Sequence, residues 1–231
     1  PGSGWFHYTN LNFPVVASVM ERVTGERFDR LMTRLVLAPL HLDACFNWSG
    51  CSDKAIRRAV VLYRSTGEVA KDDLKGTVPC PVVLPDGAAC DLAAYRPGDN
   101  GALFSPQGGL RISMTGLARI GRMLARGGQG FLSRRSMAAM TGAEWRFDGS
   151  NGLDEDGTSS GFFCAYGLAV QRLGEGKTGC HDGLFADGRM RFGHPGDAYG
   201  LHSGLWLDPK SGRGIAFFTT AVDPADHGRR S

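Results

Sequence analysis

The sequence lacks the features that mark several large functional classes. No apolar run approaches the ~20 residues that cross a bilayer as a helix. Lysine and arginine total 26 against 23 acidic residues, and no long basic run occurs, so nucleic-acid binding has little electrostatic support. Neither a Cys-x-x-Cys nor a His-Glu-x-x-His is present. We therefore expect no metal and no cofactor.

Cysteine is present, and its six copies fall into three close pairs along the chain. Each pair is able to close a small loop as a disulfide, which favours an oxidising compartment such as the bacterial periplasm or the exterior. The alternative is that they are unrelated reduced thiols in a cytosolic protein, because six cysteines allow many pairings. The candidate pairs are Cys45 with Cys51, Cys80 with Cys90, and Cys164 with Cys180.

Helical periodicity characterises the first part of the chain. Apolar residues at helical spacing predict helices at 11–24, 27–37, from Ser113 to Gly127, and after Ser133. Asn10 or Asn12 is the candidate N-cap of the first and Ser113 of the third, and the stops are Gly25, Pro39 and Gly127. Between these helices, residues 45–105 are rich in turn formers and mostly irregular. We expect residues 1–150 to form a mostly helical domain.

The character of the sequence changes in the last third. Residues 162–173 are aromatic and apolar, and they predict a strand. Residues 199–207 alternate, 209–212 predict a turn and 215–222 a final strand, which together indicate an antiparallel hairpin. Residues 151–231 are therefore predicted to form an antiparallel sheet, and the chain as a whole belongs to the α+β class.

Several short motifs occur in an informative order. The opening PGSGWFHYTN combines Pro-Gly, an aromatic residue and a Tyr-x-Asn, made by Tyr8 and Asn10, at a predicted helix start. His194 and Gly196 form a His-x-Gly within GHPG, directly before the predicted hairpin. The supporting segments are ERVTG at 21–25, APLHL at 38–42 and QGGL at 107–110. Together they resemble the serine hydrolases of the penicillin-binding-protein and class C β-lactamase-like superfamily.

A literal Lys-Thr-Gly at 177–179 competes with His-x-Gly for the third signature of that superfamily. It runs into the polar, turn-like CHDG, whereas GHPG runs into the predicted hydrophobic hairpin. Because the signature lies on a strand that lines the cleft, we favour the His194 site over residues 177–179.

The resemblance implies a β-lactamase/transpeptidase-like fold, incomplete at both ends, that acts on a small-molecule ester, amide or peptide through an acyl-enzyme. Tyr8 is expected to move protons between the serine and the leaving group, and Asn10 to hydrogen-bond a lysine or the acyl amide. His194 is expected to face the substrate or Tyr8. The backbone N–H of Asp197, just after Gly196, is the expected second oxyanion donor.

One superfamily element has no counterpart in the sequence: no serine is followed three residues later by lysine. The resemblance places this Ser-x-x-Lys upstream of Tyr8, so we expect an internal piece of a hydrolase, inactive by itself and dependent on an upstream segment. A second hypothesis is a catalytically inactive family member that serves as a binding or scaffolding domain. A third is an unrelated secreted α+β domain with three disulfides.

Overall fold

A computed structural model describes residues 4–81, 90–154, 157, 161–175 and 179–223. The beginning of the PGSGWFHYTN motif, residues 1–3, and the first two residues of the competing Lys-Thr-Gly, Lys177 and Thr178, lie outside the described residues. Among the residues that are described, no helix has both the length and the apolar character needed to cross a bilayer.

The chain divides into two compact units, each assembled from separate stretches of sequence. The sheet unit comprises residues 1–9, 63–68 and 117–231, and the helical unit comprises 10–62 and 69–116. This division differs from the predicted split at residue 150. The reason is that β1 pairs with β7, and that residues of α4 and α5 pack on the strands of the last third.

The helices match the sequence periodicity closely. They are α1 Asn12–Thr24, α2 Phe28–Met32, α3 Asp53–Ile56, α4 Met114–Ala125 and α5 Arg134–Thr141. The predicted stop at Gly25 is confirmed, because this residue adopts φ 67° and donates its N–H to the carbonyl of Glu21. The predicted N-cap Ser113 is confirmed, since it accepts from the N–H of Gly116, and Ser133 caps α5 in the same way through the N–H of Ser136. The predicted asparagine caps of α1 are wrong, because Leu11 is its N-cap residue, no side chain caps the helix, and Asn12 is already helical.

The predicted second helix changes geometry half-way along. After α2 the chain continues as a π-helical turn, Thr33–Leu37. In this turn Ala38 donates to the carbonyl of Thr33, five residues earlier, at 2.8 Å. Leu37 joins Ala17, Phe28 and Phe104 in the buried core of the helical unit.

The strands are short at the beginning of the chain and long at its end. They are β1 Phe6–His7, β2 Cys45–Phe46, β3 Leu62–Tyr63, β4 Val69–Lys71, β5 Leu110–Arg111, β6 Trp145–Arg146, β7 Gly152–Leu153, β8 Ala165–Tyr166, β9 Gln171–Leu173, β10 Arg191–Ala198, β11 Leu201–Asp208 and β12 Arg213–Thr219. The main sheet is antiparallel and has the order β12-β11-β10-β9-β8-β6. The predicted α+β architecture is thus present.

Two features of this sheet can be compared with the sequence-based expectation. The hairpin of β11 and β12 is confirmed, with Asp208 opposite Arg213 across the predicted turn. The prediction of a single strand over 162–173 is wrong. This segment contains two strands, β8 and β9, joined by a tight turn in which the N–H of Gly167 donates to the carbonyl of Val170 and Ala169 adopts φ 59°.

Helices α4 and α5 supply the apolar layer against the sheet. Ala125 and Met137 form a buried cluster with Phe192 of β10 and Leu207 of β11. A Cβ on Gly121 of α4 would meet the side chain of Leu207 at 3.2 Å, so the helix lies close to the strand. The amphipathic pattern of α4 is thereby satisfied by the two longest strands.

Disulfides join the three sequential cysteine pairs. Cys45 pairs with Cys51 and Cys80 with Cys90 in the helical unit, with Cα atoms 5.1 and 5.8 Å apart. Cys164 pairs with Cys180 in the sheet unit, with Cα atoms 5.8 Å apart. Three disulfides are compatible with a secreted or periplasmic protein.

A buried carboxylate organises the helical unit. The side chain of Glu21 is fully buried, and it accepts hydrogen bonds from the N–H groups of Phe28 at 2.7 Å and Gly98 at 2.9 Å and from the hydroxyl of Tyr95. Burial, with the bond to Glu21, raises the pKa of Tyr95 to about 12. Glu21 therefore ties α1 to the start of α2 and to the loop around residues 95–98.

We predict that Glu21→Ala lowers the free energy of unfolding by about 3 kcal/mol, because it leaves two N–H groups and a hydroxyl without their buried acceptor. Urea denaturation monitored by circular dichroism measures the change. Glu26→Ala is the matched control, since Glu26 pairs with the exposed Arg34. Equal destabilisation by the two substitutions would contradict the structural role given to Glu21.

Candidate active site

Tyr8 is fixed to the sheet unit by the first strand. β1 pairs in parallel with β7, and the N–H of Tyr8 donates to the carbonyl of Leu153 at 3.1 Å. Four residues earlier, the carbonyl of Gly4 accepts from Trp145 Nε1 at 3.1 Å and from Asn151 Nδ2 at 2.9 Å. The backbone of residues 4–8 is therefore held at both ends, and Tyr8 has a defined position.

His194 lies on β10, between β9 and β11, and is half-buried. Its Nδ1 is 2.6 Å from the carbonyl oxygen of Pro195, and its Nε2 is 2.8 Å from the hydroxyl of Tyr166. A carbonyl only accepts, so Nδ1 carries the hydrogen of the neutral ring. Nε2 is then the acceptor, and Tyr166 is the donor.

Burial dominates the titration of both partners in this hydrogen bond. It lowers the pKa of His194, and the bond to the Pro195 carbonyl opposes that effect only in part. It also raises the pKa of Tyr166 well above the usual value near 10, with a smaller contribution from Tyr8. At neutral pH the imidazole is therefore uncharged and the phenol is protonated.

Tyr8 and His194 meet within one cluster of aromatic rings. Their ring centroids are 5.7 Å apart. Tyr8 stacks on Phe163 at 4.8 Å and 6°, and its ring is 6.4 Å from that of Tyr166 in an edge-on arrangement. Phe6 continues the cluster, 5.1 Å from Tyr166. The strand pairing thus unites two residues from opposite ends of the sequence.

Phe163 and Tyr166 are not among the site residues predicted from the sequence. Both lie in the segment that was predicted to be one strand, and neither belongs to a motif of the superfamily. The available signal was local enrichment: two phenylalanines and a tyrosine flank Cys164, which is buried. Aromatic side chains beside a candidate disulfide indicate that this segment is packed against other residues, but they do not indicate which residues these are.

Gly196 and Asp197 follow His194 along the same strand. Gly196 lies opposite Ser203 in the hairpin, and a Cβ there would collide with the Ser203 hydroxyl oxygen. A side chain at position 196 would therefore require the Ser203 hydroxyl to move. The carboxylate of Asp197 is exposed and lies 3.3 Å from Nε2 of His202 on β11.

Asn10 is the first residue of the helical unit, two positions before α1 begins. Its predicted role with a lysine or the acyl amide stays a prediction. The structure thus brings Tyr8 and His194 together, adds Tyr166 and Phe163 to them, and places Gly196 and Asp197 farther along β10.

We predict that Tyr166 does not ionise in the folded chain below about pH 11, because its pKa is raised by burial. Phenolate absorbance followed to that pH is expected to be the same for the unchanged chain and for Tyr166→Phe. In denaturant, the phenolate absorbance of the variant is expected to be smaller than that of the unchanged chain by the contribution of one tyrosine. A smaller amplitude for the folded variant would show that Tyr166 is accessible to solvent.

Comparison of the structure with solved structures finds similar folds. A D-stereospecific amidohydrolase from Streptomyces sp. superposes with a TM-score of 0.55 at 16% identity, over 96% of this chain and 52% of that one. A β-lactamase/D-alanine carboxypeptidase from Pseudomonas syringae gives 0.61 at 13% identity, over 95% and 56%. A class C β-lactamase from Rhodobacter sphaeroides gives 0.59 at 12% identity, also over 95% and 56%.

These similarities show the fold, which is of the β-lactamase/transpeptidase type. The chain spans about half the length of these solved structures. Comparison of the sequence with curated proteins finds no match. The family model described as Beta-lactamase matches residues 1–231. Because that match runs over the whole chain, the protein belongs to the beta-lactamase family.

Proposed function

We propose that the chain forms part of a serine hydrolase that cleaves an ester or amide bond through an acyl-enzyme. The observation that supports this most directly is the 5.7 Å separation of the Tyr8 and His194 rings, since these residues stand in the two motifs that carry the resemblance. The nucleophile is proposed to come from a Ser-x-x-Lys segment outside these 231 residues, whose sequence contains none.

Tyr8 is the proposed proton carrier. The serine hydroxyl attacks the substrate carbonyl and passes its proton to the phenolate of Tyr8, which then protonates the departing alcohol or amine. Water attacks the acyl-enzyme next, gives its proton to Tyr8, and the proton returns to the serine as the acid product leaves. Tyr8 ionises to phenolate near neutral pH only if a cation lies beside it. The lysine of Ser-x-x-Lys is the proposed cation, and Asn10 is proposed to hydrogen-bond it.

The developing negative charge of each tetrahedral intermediate needs hydrogen-bond donors. We assign the second donor to the backbone N–H of Asp197, immediately after the motif residue Gly196, and the first to the N–H of the serine. The exposed carboxylate of Asp197 is not needed for this role. Its pairing with His202 is a contact on the hairpin surface.

His194 indicates the substrate class. Burial keeps its imidazole neutral, so this position supplies no permanent cation for the carboxylate of a β-lactam. Esters, amides and peptides of D-amino acids therefore suit the site better. The three disulfides support action in the periplasm or outside the cell.

A second candidate function is that of a catalytically inactive family member that binds a ligand or partner. The absence of any Ser-x-x-Lys in the sequence favours it. The two candidates differ in one measurable respect, which is whether a reactive serine accompanies the chain.

Fluorophosphonate labelling of the purified protein, resolved on a denaturing gel and by intact mass, distinguishes them. We expect the label on a polypeptide segment outside this 24.8 kDa chain, because the reactive serine is proposed to lie there. Label within the chain would contradict the assignment of the nucleophile. No label, with a single mass present, would favour the binding function.

The same experiment tests Tyr8. Tyr8→Phe is expected to slow labelling by about 100-fold or more, since the serine loses its proton acceptor. Tyr63→Phe is the matched control, because Tyr63 is an exposed tyrosine of the same unit. An equal rate for Tyr8→Phe and Tyr63→Phe would remove Tyr8 from the mechanism.

The substrate preference is tested by turnover. We expect the serine-containing protein, before any labelling, to hydrolyse simple esters or D-amino-acid amides faster than a chromogenic cephalosporin, because the neutral His194 does not pair with a carboxylate. The measurement is kcat/KM on both substrates at neutral pH. Cephalosporin turnover far above ester turnover would overturn the preference.

A further inference from the structure

We propose that Tyr166 is a positioning residue of this site. Its hydroxyl donates a hydrogen bond to Nε2 of His194 and thereby holds the imidazole in one tautomer and one orientation beside Tyr8. Its effect on hydrolysis rests on the proposed function. The hydrogen-bond arrangement itself does not, and it can be measured without turnover.

The first support is that both nitrogens of His194 are already engaged. A neutral imidazole offers one donor and one acceptor. The donor, Nδ1–H, is bound by the Pro195 carbonyl at 2.6 Å, and the acceptor, Nε2, is bound by Tyr166 at 2.8 Å. A ring flip would break both bonds. His194 therefore has no nitrogen left for the substrate while Tyr166 stays in place.

The second support is that Tyr166 is held independently of His194. It lies on β8, next to Ala165, which is completely buried, and two residues after Cys164, whose disulfide to Cys180 anchors the strand. Its ring also packs against Phe6 at 5.1 Å. Because these contacts fix the phenol, the hydrogen bond orients the histidine rather than the reverse.

The third support is electrostatic. Protonation of His194 at Nε2 would require the hydroxyl hydrogen of Tyr166 to leave its present acceptor, so this bond favours the neutral ring. Tyr8 and Tyr166 are the titratable side chains in ring contact with His194. Among the described residues, no carboxylate forms an ion pair with it, since Asp197 pairs with His202 instead.

The neighbouring strand β9 carries one arginine, and its charge is balanced by a carboxylate. Arg172 on β9 is bound to Glu175, with its Nε 2.6 Å from the carboxylate. The charge state of His194 is therefore set mainly by burial, which the Pro195 carbonyl opposes in part, and the hydrogen bond from Tyr166 acts in the same direction as burial. The phenolic oxygen of Tyr166 still has acceptor capacity after it donates its hydrogen.

The test is nitrogen-15 NMR of the histidine side chains in the full chain over a pH titration, with His194→Gln to assign the signals. We expect His194 to be protonated at Nδ1, to show a hydrogen-bonded Nε2, and to titrate below the ordinary range. In Tyr166→Phe, the Nε2 signal should move toward that of an unbonded nitrogen, and the titration midpoint should shift upward. The control, Tyr63→Phe, should change neither.

Identical His194 signals and midpoints in Tyr166→Phe and the unchanged chain would overturn the proposal. Should Tyr166→Phe fail to fold, the unchanged chain still decides, because a hydrogen on Nε2 of its neutral His194 would equally overturn it. In the serine-containing protein, Tyr166→Phe should lower the labelling rate by about tenfold, the effect of one ordinary hydrogen bond. If the NMR result holds but no serine is labelled, the positioning stands and the proposed hydrolase fails.

Discussion

The pairing of β1 with β7 is the interaction on which the candidate site depends. It is only two residues long on each strand, and it is reinforced by the Gly4 carbonyl, which accepts from Trp145 and Asn151. The stacking of Phe6 on Trp145, with centroids 4.4 Å apart, adds apolar contact. Since Tyr8 and His194 share no local structure, these contacts with the sheet unit bring them into one cluster.

The cluster that results brings together uncharged groups. His194 is neutral because it is buried, and Tyr166 keeps its hydrogen for the same reason. The remaining walls are aromatic rings, which offer no charge to a substrate carboxylate. The proposed acyl transfer needs a cation close to Tyr8 in such an environment, and the proposal gives this role to the lysine of a Ser-x-x-Lys, which the sequence itself does not contain.

One residue that contributed to the family resemblance has a structural explanation. Glu21 stands in the ERVTG segment after the Tyr-x-Asn motif, where a functional role is an obvious hypothesis. Its carboxylate is instead fully buried among the N–H groups of Phe28 and Gly98 and the hydroxyl of Tyr95. A buried charge persists only when it is paired or well hydrogen-bonded, so this residue shapes the loop that follows α1.

The sequence by itself determined the features that depend on neighbouring residues. The start of α4 at Ser113, the end of α1 at Gly25 and the hairpin turn after Asp208 follow from caps and turn formers within a few positions. The motifs also selected Tyr8 and His194 as candidates, because their residue types and order are written in the chain.

Tertiary contacts decided the rest. The division of 162–173 into β8 and β9, the grouping of the first nine residues with the sheet unit, and the tautomer of His194 all depend on partners far away in sequence. Tyr166 belongs to the cluster only because β8 and β10 lie in the same sheet. Local periodicity does not determine which distant group a side chain contacts. For that reason only the folded chain shows that Tyr166 hydrogen-bonds His194.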